Sequence, residues 1–195
     1  MMMHGNALLA SILGALTLSH AAQAEDKPGW FGTAKNELVQ TYREGTPELY
    51  IPAYTWHLPF AYSRERINGY QNVPLGLGYG HGRFDDKDNW HGVYAMGFQD
   101  SHFKPEWMAG YGWKARWPLG DQVKFGLGFT AGLTSRTDYA HYFPIPYLLP
   151  LASVDYGKMS MEASYVPGGK GFGNVIFFTA KWRFQDATAT SEAGK

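Results

Sequence analysis

The sequence predicts an all-β protein, an eight-stranded antiparallel β-barrel preceded by a short amphipathic α-helix. Three observations point there. From residue 47 onward apolar residues recur with a period of two, the period of strands whose side chains alternate between two faces. Eight such runs can be counted. The connections between them alternate between short and long, as in barrels with tight turns at one end and loops at the other.

The bulk properties narrow the class. At 195 residues the chain suits one domain with a core of its own. Seventeen basic residues balance seventeen acidic ones, so no basic excess points to nucleic acid and no charge block suggests a tail partner. An aromatic content of 16%, 24 glycines and a slightly negative mean hydropathy describe neither a helical membrane protein nor a disordered chain. With no cysteine, disulfides, thiolate zinc sites and cysteine nucleophiles are excluded.

In chain order, residues 1–24 read as a signal peptide. "ALLASILGALTL" has the length of a signal core, and "AQA" at 22–24 is a small-x-small cleavage site. The n-region carries only His4 in place of Lys or Arg. The mature chain is expected to begin at Glu25 and to be exported. Glycine, proline or charge interrupts every later apolar run, so no helical span is predicted. An exported chain of this kind is soluble or is an outer-membrane barrel. Residues 25–46 hold the helix, on the periplasmic side of such a barrel: Trp30, Phe31, Ala34, Leu38 and Tyr42 share one side, and Gly45 ends the run.

The barrel is expected over residues 47–184, with 185–195 a disordered tail. "ELYIPAYTWHLPFAY" places Tyr50, Tyr54, Trp56, Leu58, Phe60 and Tyr62 on one face. "VPLGLGYGHGRF" sets Leu75, Leu77 and Tyr79 opposite glycines. In "NWHGVYAMGFQDSH", Trp90, Tyr94, Met96 and Phe98 oppose Val93, Ala95, Gly97 and Gln99. "WMAGYGWKARW" and "QVKFGLGFTAGLT" repeat the pattern, and a proline-rich segment (143–154), a strand at 158–166 and "NVIFFTAKWRF" complete eight. "DDKD", "PLGD" and "DYGK" are the short turns; 63–69, 102–106, 135–142 and 167–173 are the longer loops.

Large residues opposite glycine favour a barrel with lipid outside. A soluble lipocalin-like barrel would bury its large residues and expose polar ones. Gly76, Gly78, Gly80, Gly110, Gly112, Gly126 and Gly128 on the small face would leave room for something slender and apolar, such as a fatty acyl chain. Relief of crowding at strand bends is the plainer reading of the same glycines. Pro52, Pro74, Pro150 and Pro167 each remove a ladder donor and either open the wall locally or mark strand ends.

With the amino terminus in the periplasm, strands one and three both run outward. His57, Asp100 and Ser101 then approach the outer rim together. By parity His57 goes with Ile51, Ala53 and Thr55 on the small face, and Ser101 with the small face of its own strand; Asp100 has the other parity. A hydroxyl, a base and a carboxylate are the components of acyl transfer. Asp-Ser at a strand end is also an ordinary turn, and spacing alone does not decide. No G-x-S-x-G elbow is present, the glycine runs open no helix, and His81, His91, His102 and His141 lack metal spacing. No metal or cofactor is expected.

"LYIPAYTWH", "NWHGVYAMGFQDS", "AGYGW", "GLGFTAG" and "PYLLPLASV" resemble the lipid A palmitoyltransferase family of outer-membrane barrels (PagP), from about the helix to Phe184. The resemblance implies transfer of a palmitoyl chain from a glycerophospholipid donor to lipid A of lipopolysaccharide in the bacterial outer membrane. It implies His57, Asp100 and Ser101 as catalytic residues and Gly112 as the floor of the acyl pocket. Pro52 with Pro74, and Pro150 with Pro167, would line lateral openings, and Arg66 would serve lipopolysaccharide recognition. Two departures stand out: the tail "QDATATSEAGK" runs past Phe184, and Lys170 takes the place of a bulky aromatic in "PGGKGFG", at a position associated with phospholipid gating. His57 is expected as general base, Ser101 as nucleophile or polariser, and Asp100 as an orienting or charge-stabilising group. The alternatives are a non-enzymatic small outer-membrane barrel in adhesion or stability, and a soluble lipid carrier. The oligomeric state stays open between monomer and homodimer.

Overall fold

The computed structural model describes residues 29–138, 141–170 and 172–184. The predicted signal peptide and the 185–195 tail lie outside the described residues. Helix α1 (Trp30–Glu44) leads into β1 (Thr46–His57). After a short helix α2 (Arg64–Asn68) come β2 (Gly76–Phe84), β3 (Trp90–Gln99), β4 (Pro105–Pro118) and β5 (Val123–Arg136), then β6 (Ile145–Tyr156), β7 (Met159–Val166) and β8 (Val175–Arg183). Every sequential pair is antiparallel, and β1 pairs with β8 to close an eight-stranded barrel. Closure removes the exposed strand edge of an open sheet. No helix among the described residues is long and apolar enough to cross a membrane.

Helix α1 is held against one end of the barrel. Arg83 of β2 donates to Thr41 Oγ1 at 3.2 Å and pairs with Glu37, while His81 Nδ1 donates to the Tyr42 carbonyl at 2.7 Å. Trp30 and Phe31 at its start stay exposed. Outward residues of the strands are large and apolar: Leu77 and Tyr79 on β2, Trp107 and Trp117 on β4, Leu127 and Leu133 on β5, Leu148 and Val154 on β6. Their exposed apolar surface is at odds with a soluble carrier and is what a lipid-facing wall requires.

Two expectations about the faces are corrected. On β1 a bulge falls between Pro52 and Tyr54, with Pro52 opposite Thr179 and Tyr54 opposite Phe178. One extra residue reverses the parity. Tyr50 therefore points inward and is 1% exposed, whereas Ile51, Tyr54 and Trp56 point outward. On β3 the large face is the inner one. Trp90, Met96 and Phe98 are buried in the core with Tyr50 and Leu151, and the small residues of the strand face out.

The glycine face is consequently less vacant than its composition suggests. A Cβ at Gly80 would meet the Tyr50 ring at 3.0 Å, and one at Gly112 would meet Trp90 at 2.8 Å. Glycines here admit the large side chains of neighbouring strands. Among the described residues, the large interior space lies in the half of the barrel away from α1.

The other half is ionic. Lys114 Nζ lies 3.0 Å from Asp155 and 2.8 Å from Glu162; Lys181 Nζ lies 2.8 Å from Glu162 and 3.4 Å from Glu48. Arg183 Nε reaches Glu48 at 3.2 Å. Glu48 also accepts from Tyr50 (2.9 Å) and from the Trp90 indole (3.2 Å). Lys181 sits 3.4 Å from the centre of the Trp90 ring, a cation–π contact in a desolvated place. Buried charges persist only when paired in this way. The network fills the helix-bearing end of the barrel.

Candidate functional site

Above this network a cavity of about 390 Å³ opens toward the far rim. Phe98, Phe177, Leu149 and Leu151 wall it, Trp90 and Gly112 line its lower part, and His57 and Ser101 stand at its mouth. At its lower end the Trp90 ring forms a plate, with Lys181 Nζ 3.4 Å from its centre, and packs against Gly112, while Glu162 of the network also reaches the cavity lining.

His57 is the last residue of β1. The bulge at Pro52–Tyr54 turns Thr55 and His57 to the inside together, so Ile51, expected on the same face, is outside. His57 is 5% exposed. Its ring stacks on Tyr70 at 4.4 Å between centres and meets Tyr62 edge-on at 5.3 Å.

Asp100 continues the inner parity of β3, and Ser101, of the other parity, is brought inward by the turn that follows. This reverses the expected roles of strand and loop for the two residues. The turn is built around Asp100. Its Oδ1 accepts the backbone N–H groups of His102 and Lys104, each at 2.8 Å, and its own N–H donates to the Lys104 carbonyl at 2.7 Å. Its Oδ2 takes Arg136 Nη2 at 3.1 Å. Asp100 is buried, and no contact joins it to His57.

Ser101 Oγ lies 3.1 Å from His57 Nε2. The other ring nitrogen, Nδ1, lies 3.0 Å from Asn72 Oδ1. An amide oxygen accepts only, so Nδ1 carries the proton and Nε2 is left with its lone pair toward the serine. This is the form in which imidazole can take a proton from a hydroxyl. Neither Asn72 nor Tyr70 stands out in the sequence, because both sit in a loop without periodicity.

The four prolines coincide with interruptions of pairing. The β1–β2 ladder runs from Thr46↔Gly82 to Tyr50↔Gly78 and stops before Pro52, and Pro74 lies just before the start of β2. The β6–β7 ladder stops at Leu151↔Ser164, between Pro150 and Pro167. Both interruptions lie in the half of the wall that surrounds the cavity. Arg66 is exposed on α2 and Lys170 is exposed in the β7–β8 loop, and neither lines the cavity. Phe172, two residues beyond Lys170, does line it, so the loop supplies an aromatic after all.

Asp100, His102 and Asp138 bring possible ligand atoms within 4.8 Å of one another. Arg136 already bridges the two carboxylates, at 3.1 Å and 2.9 Å. Protein charge thus satisfies the cluster.

A base bonded to a hydroxyl, at the mouth of an apolar slot whose wall is interrupted twice, is arranged for acyl transfer to or from a long chain. The similarities found among known proteins agree. The family model described as antimicrobial peptide resistance and lipid A acylation protein PagP matches residues 37–181. A protein of Salmonella typhi named lipid A acyltransferase PagP is 47% identical over 169 residues, covering 84% of this chain and 87% of the relative. One of Escherichia coli O157:H7 named lipid A palmitoyltransferase PagP is 48% identical over 160 residues, covering 80% and 84%. One of Laribacter hongkongensis, named lipid A acyltransferase PagP, is 45% identical over 156 residues, covering 80% and 75%.

Proposed function

Because the chain belongs to the PagP family of lipid A acylation proteins, we propose that it transfers a palmitoyl chain from a glycerophospholipid to lipid A at the outer face of the bacterial outer membrane. The protein is an acyltransferase acting on lipid A. The donor, the chain length and the residue roles are our reading. Its principal support is the 3.1 Å contact between Ser101 Oγ and His57 Nε2 at the mouth of the apolar cavity.

In this reading the acyl chain of the donor enters through an interrupted part of the wall and lies in the slot, ending at Gly112 and the Trp90 plate. Pro52 and Pro74 border one such entry and Pro150 and Pro167 the other. The donor's ester carbonyl is thereby held at the rim. His57 Nε2 takes the proton of the attacking hydroxyl, that of Ser101 in a two-step transfer or that of lipid A in a direct one. The carbonyl carbon–oxygen bond to glycerol breaks, and the departing oxygen receives the proton from His57. In the two-step route the lipid A hydroxyl then gives its proton to His57 as it attacks the acyl-Ser101 ester, and the departing Ser101 oxygen takes that proton from His57. In the direct route Ser101 polarises the carbonyl instead. Asp100 acts on Ser101 through the turn, not on His57. Arg66, exposed near the rim, supplies a positive charge for the anionic acceptor, and Lys170 does the same on the opposite loop.

The test is reconstitution of the purified chain in vesicles of palmitoyl-phospholipid with lipid A, read by mass spectrometry. Lipid A heavier by one palmitoyl group, only when the phospholipid carries palmitate, is the expected result. Unmodified lipid A would overturn the reading and favour a barrel without enzymatic activity. Single-turnover trapping of an acylated Ser101 peptide distinguishes the two-step route from the direct one.

A further inference from the structure

The β1–β2 ladder stops at Tyr50↔Gly78, yet the upper part of β1 is not without a neighbour. The Thr55 N–H donates to the Asn72 carbonyl at 2.8 Å, and the Gln71 N–H donates to the Ser101 carbonyl at 3.0 Å. The strip 70–72 therefore bonds to the strand that carries the base and to the turn that carries the hydroxyl. From the same strip Tyr70 stacks on the His57 ring, and Asn72 Oδ1 accepts from His57 Nδ1 at 3.0 Å.

We propose that Asn72 is a positioning residue for the acyl transfer, its amide oxygen holding His57 in the tautomer and orientation that present Nε2 to Ser101. This inference rests on the assignment of His57 as general base. A neutral imidazole has two tautomers, and only the one protonated at Nδ1 can accept from Ser101. Tyr70 fixes the ring plane and Asn72 fixes the rotation within it.

The choice of an amide has a consequence for pH. The titratable groups facing His57 are Tyr62 from the segment after β1, Tyr70 from the strip, and His102 from the turn after β3, whose ring meets Tyr70 edge-on at 5.3 Å. The Asp100 carboxylate is turned to Arg136. Among the described residues no carboxylate pairs with His57, so Asn72 stabilises the neutral ring without adding a negative charge beside it. An aspartate at this position would keep the acceptor oxygen and favour the protonated ring.

The experiment compares Asn72→Ala, Asn72→Asp and His57→Ala in the full chain, by initial rates against pH in palmitoyl-phospholipid vesicles with lipid A. Thermal unfolding of each variant is followed by circular dichroism. Asn72→Ala is expected to lower kcat by about 10- to 100-fold, a fraction of the roughly 10²–10⁴-fold that acid–base assistance supplies in full, with KM for both lipids unchanged. Asn72→Asp is expected to keep most of the plateau rate and to move the acidic limb of the profile upward by at least about one pH unit. If Asn72→Ala does not fold, the Asn72→Asp profile alone decides. A kcat for Asn72→Ala within threefold of the parent, or an unmoved limb in Asn72→Asp, overturns the proposal while His57→Ala is inactive. Full activity in His57→Ala would instead overturn the general-base assignment, and this inference with it.

Discussion

Below Gly112 the barrel interior is charged and filled, whereas above it the interior is apolar and open. The lower half binds β1, β4, β6, β7 and β8 together through Glu48, Lys114, Asp155, Glu162 and Lys181. The upper half has two interrupted ladders and a cavity. The contrast teaches that one small barrel can separate cohesion from open space along its axis. A wall that gives up backbone pairing in one half draws its rigidity from the ionic half. Trp90 belongs to both: Lys181 lies against its ring and Glu48 accepts from its indole N–H, while the ring also lines the cavity.

The widest break in this contrast is expected from His57→Ala. It should lower the rate of lipid A acylation by about 10²–10⁴-fold and leave the thermal unfolding transition of the barrel in place. A comparable loss of stability would show that the rim also carries the fold. Next comes Glu162→Leu, which leaves Lys114 and Lys181 short of a partner. Breaking a buried pair costs about 3–5 kcal/mol, so denaturant unfolding should shift strongly, with the length of the transferred chain unchanged. A variant as stable as the parent would contradict the lower half's structural role.

Gly112→Met probes the boundary between the halves. A side chain there meets Trp90 at its first carbon and must extend up the slot. Each excluded methylene costs ~0.8 kcal/mol of burial, so the product should carry shorter acyl chains by mass spectrometry. Unaltered palmitate selection would place the floor elsewhere.

The smallest effect is expected outside the strands, in the turn after β2. Burial raises the pKa of Asp85, but hydrogen bonds from the Asn89 side chain and backbone, His91 and the Lys87 N–H outweigh it and hold the carboxyl at about 2, below its ordinary 3.8. A depressed carboxyl stabilises the fold above its unfolded pKa, and this contribution fades as pH falls through the folded value. Asp85→Asn should therefore flatten the acid limb of stability between about pH 4 and pH 2, and leave acylation at neutral pH unaffected.

Much of the architecture was legible in local pattern. Alternation marked the strands, "DDKD" and its counterparts marked the tight turns, and the 3.6-residue spacing marked α1. Parity was read correctly on β4 and β5, where lysine, threonine and glycine oppose large aromatics. It was inverted on β3, since both of its faces are apolar enough to pass for an outer one. On β1 a single bulged residue defeated it. Proximity of His57, Asp100 and Ser101 followed from strand direction, but their bonding did not. Asp100, expected as an orienting or charge-stabilising group, turns to Arg136, and His57 Nδ1 faces Asn72.

The sequence by itself determined how many strands form and roughly where each lies, although the first was read through Tyr62 and β1 ends at His57. Those features come from alternation and turn chemistry within short stretches of chain. Only the tertiary structure decided which face of β3 is interior, where the cavity gives way to the ionic plug, and what His57 touches. His57 and Ser101 are 44 residues apart and Arg183 reaches Glu48 across 135. Such contacts exist only once β1 has paired with β8, and the space left inside a closed barrel depends on every strand at once.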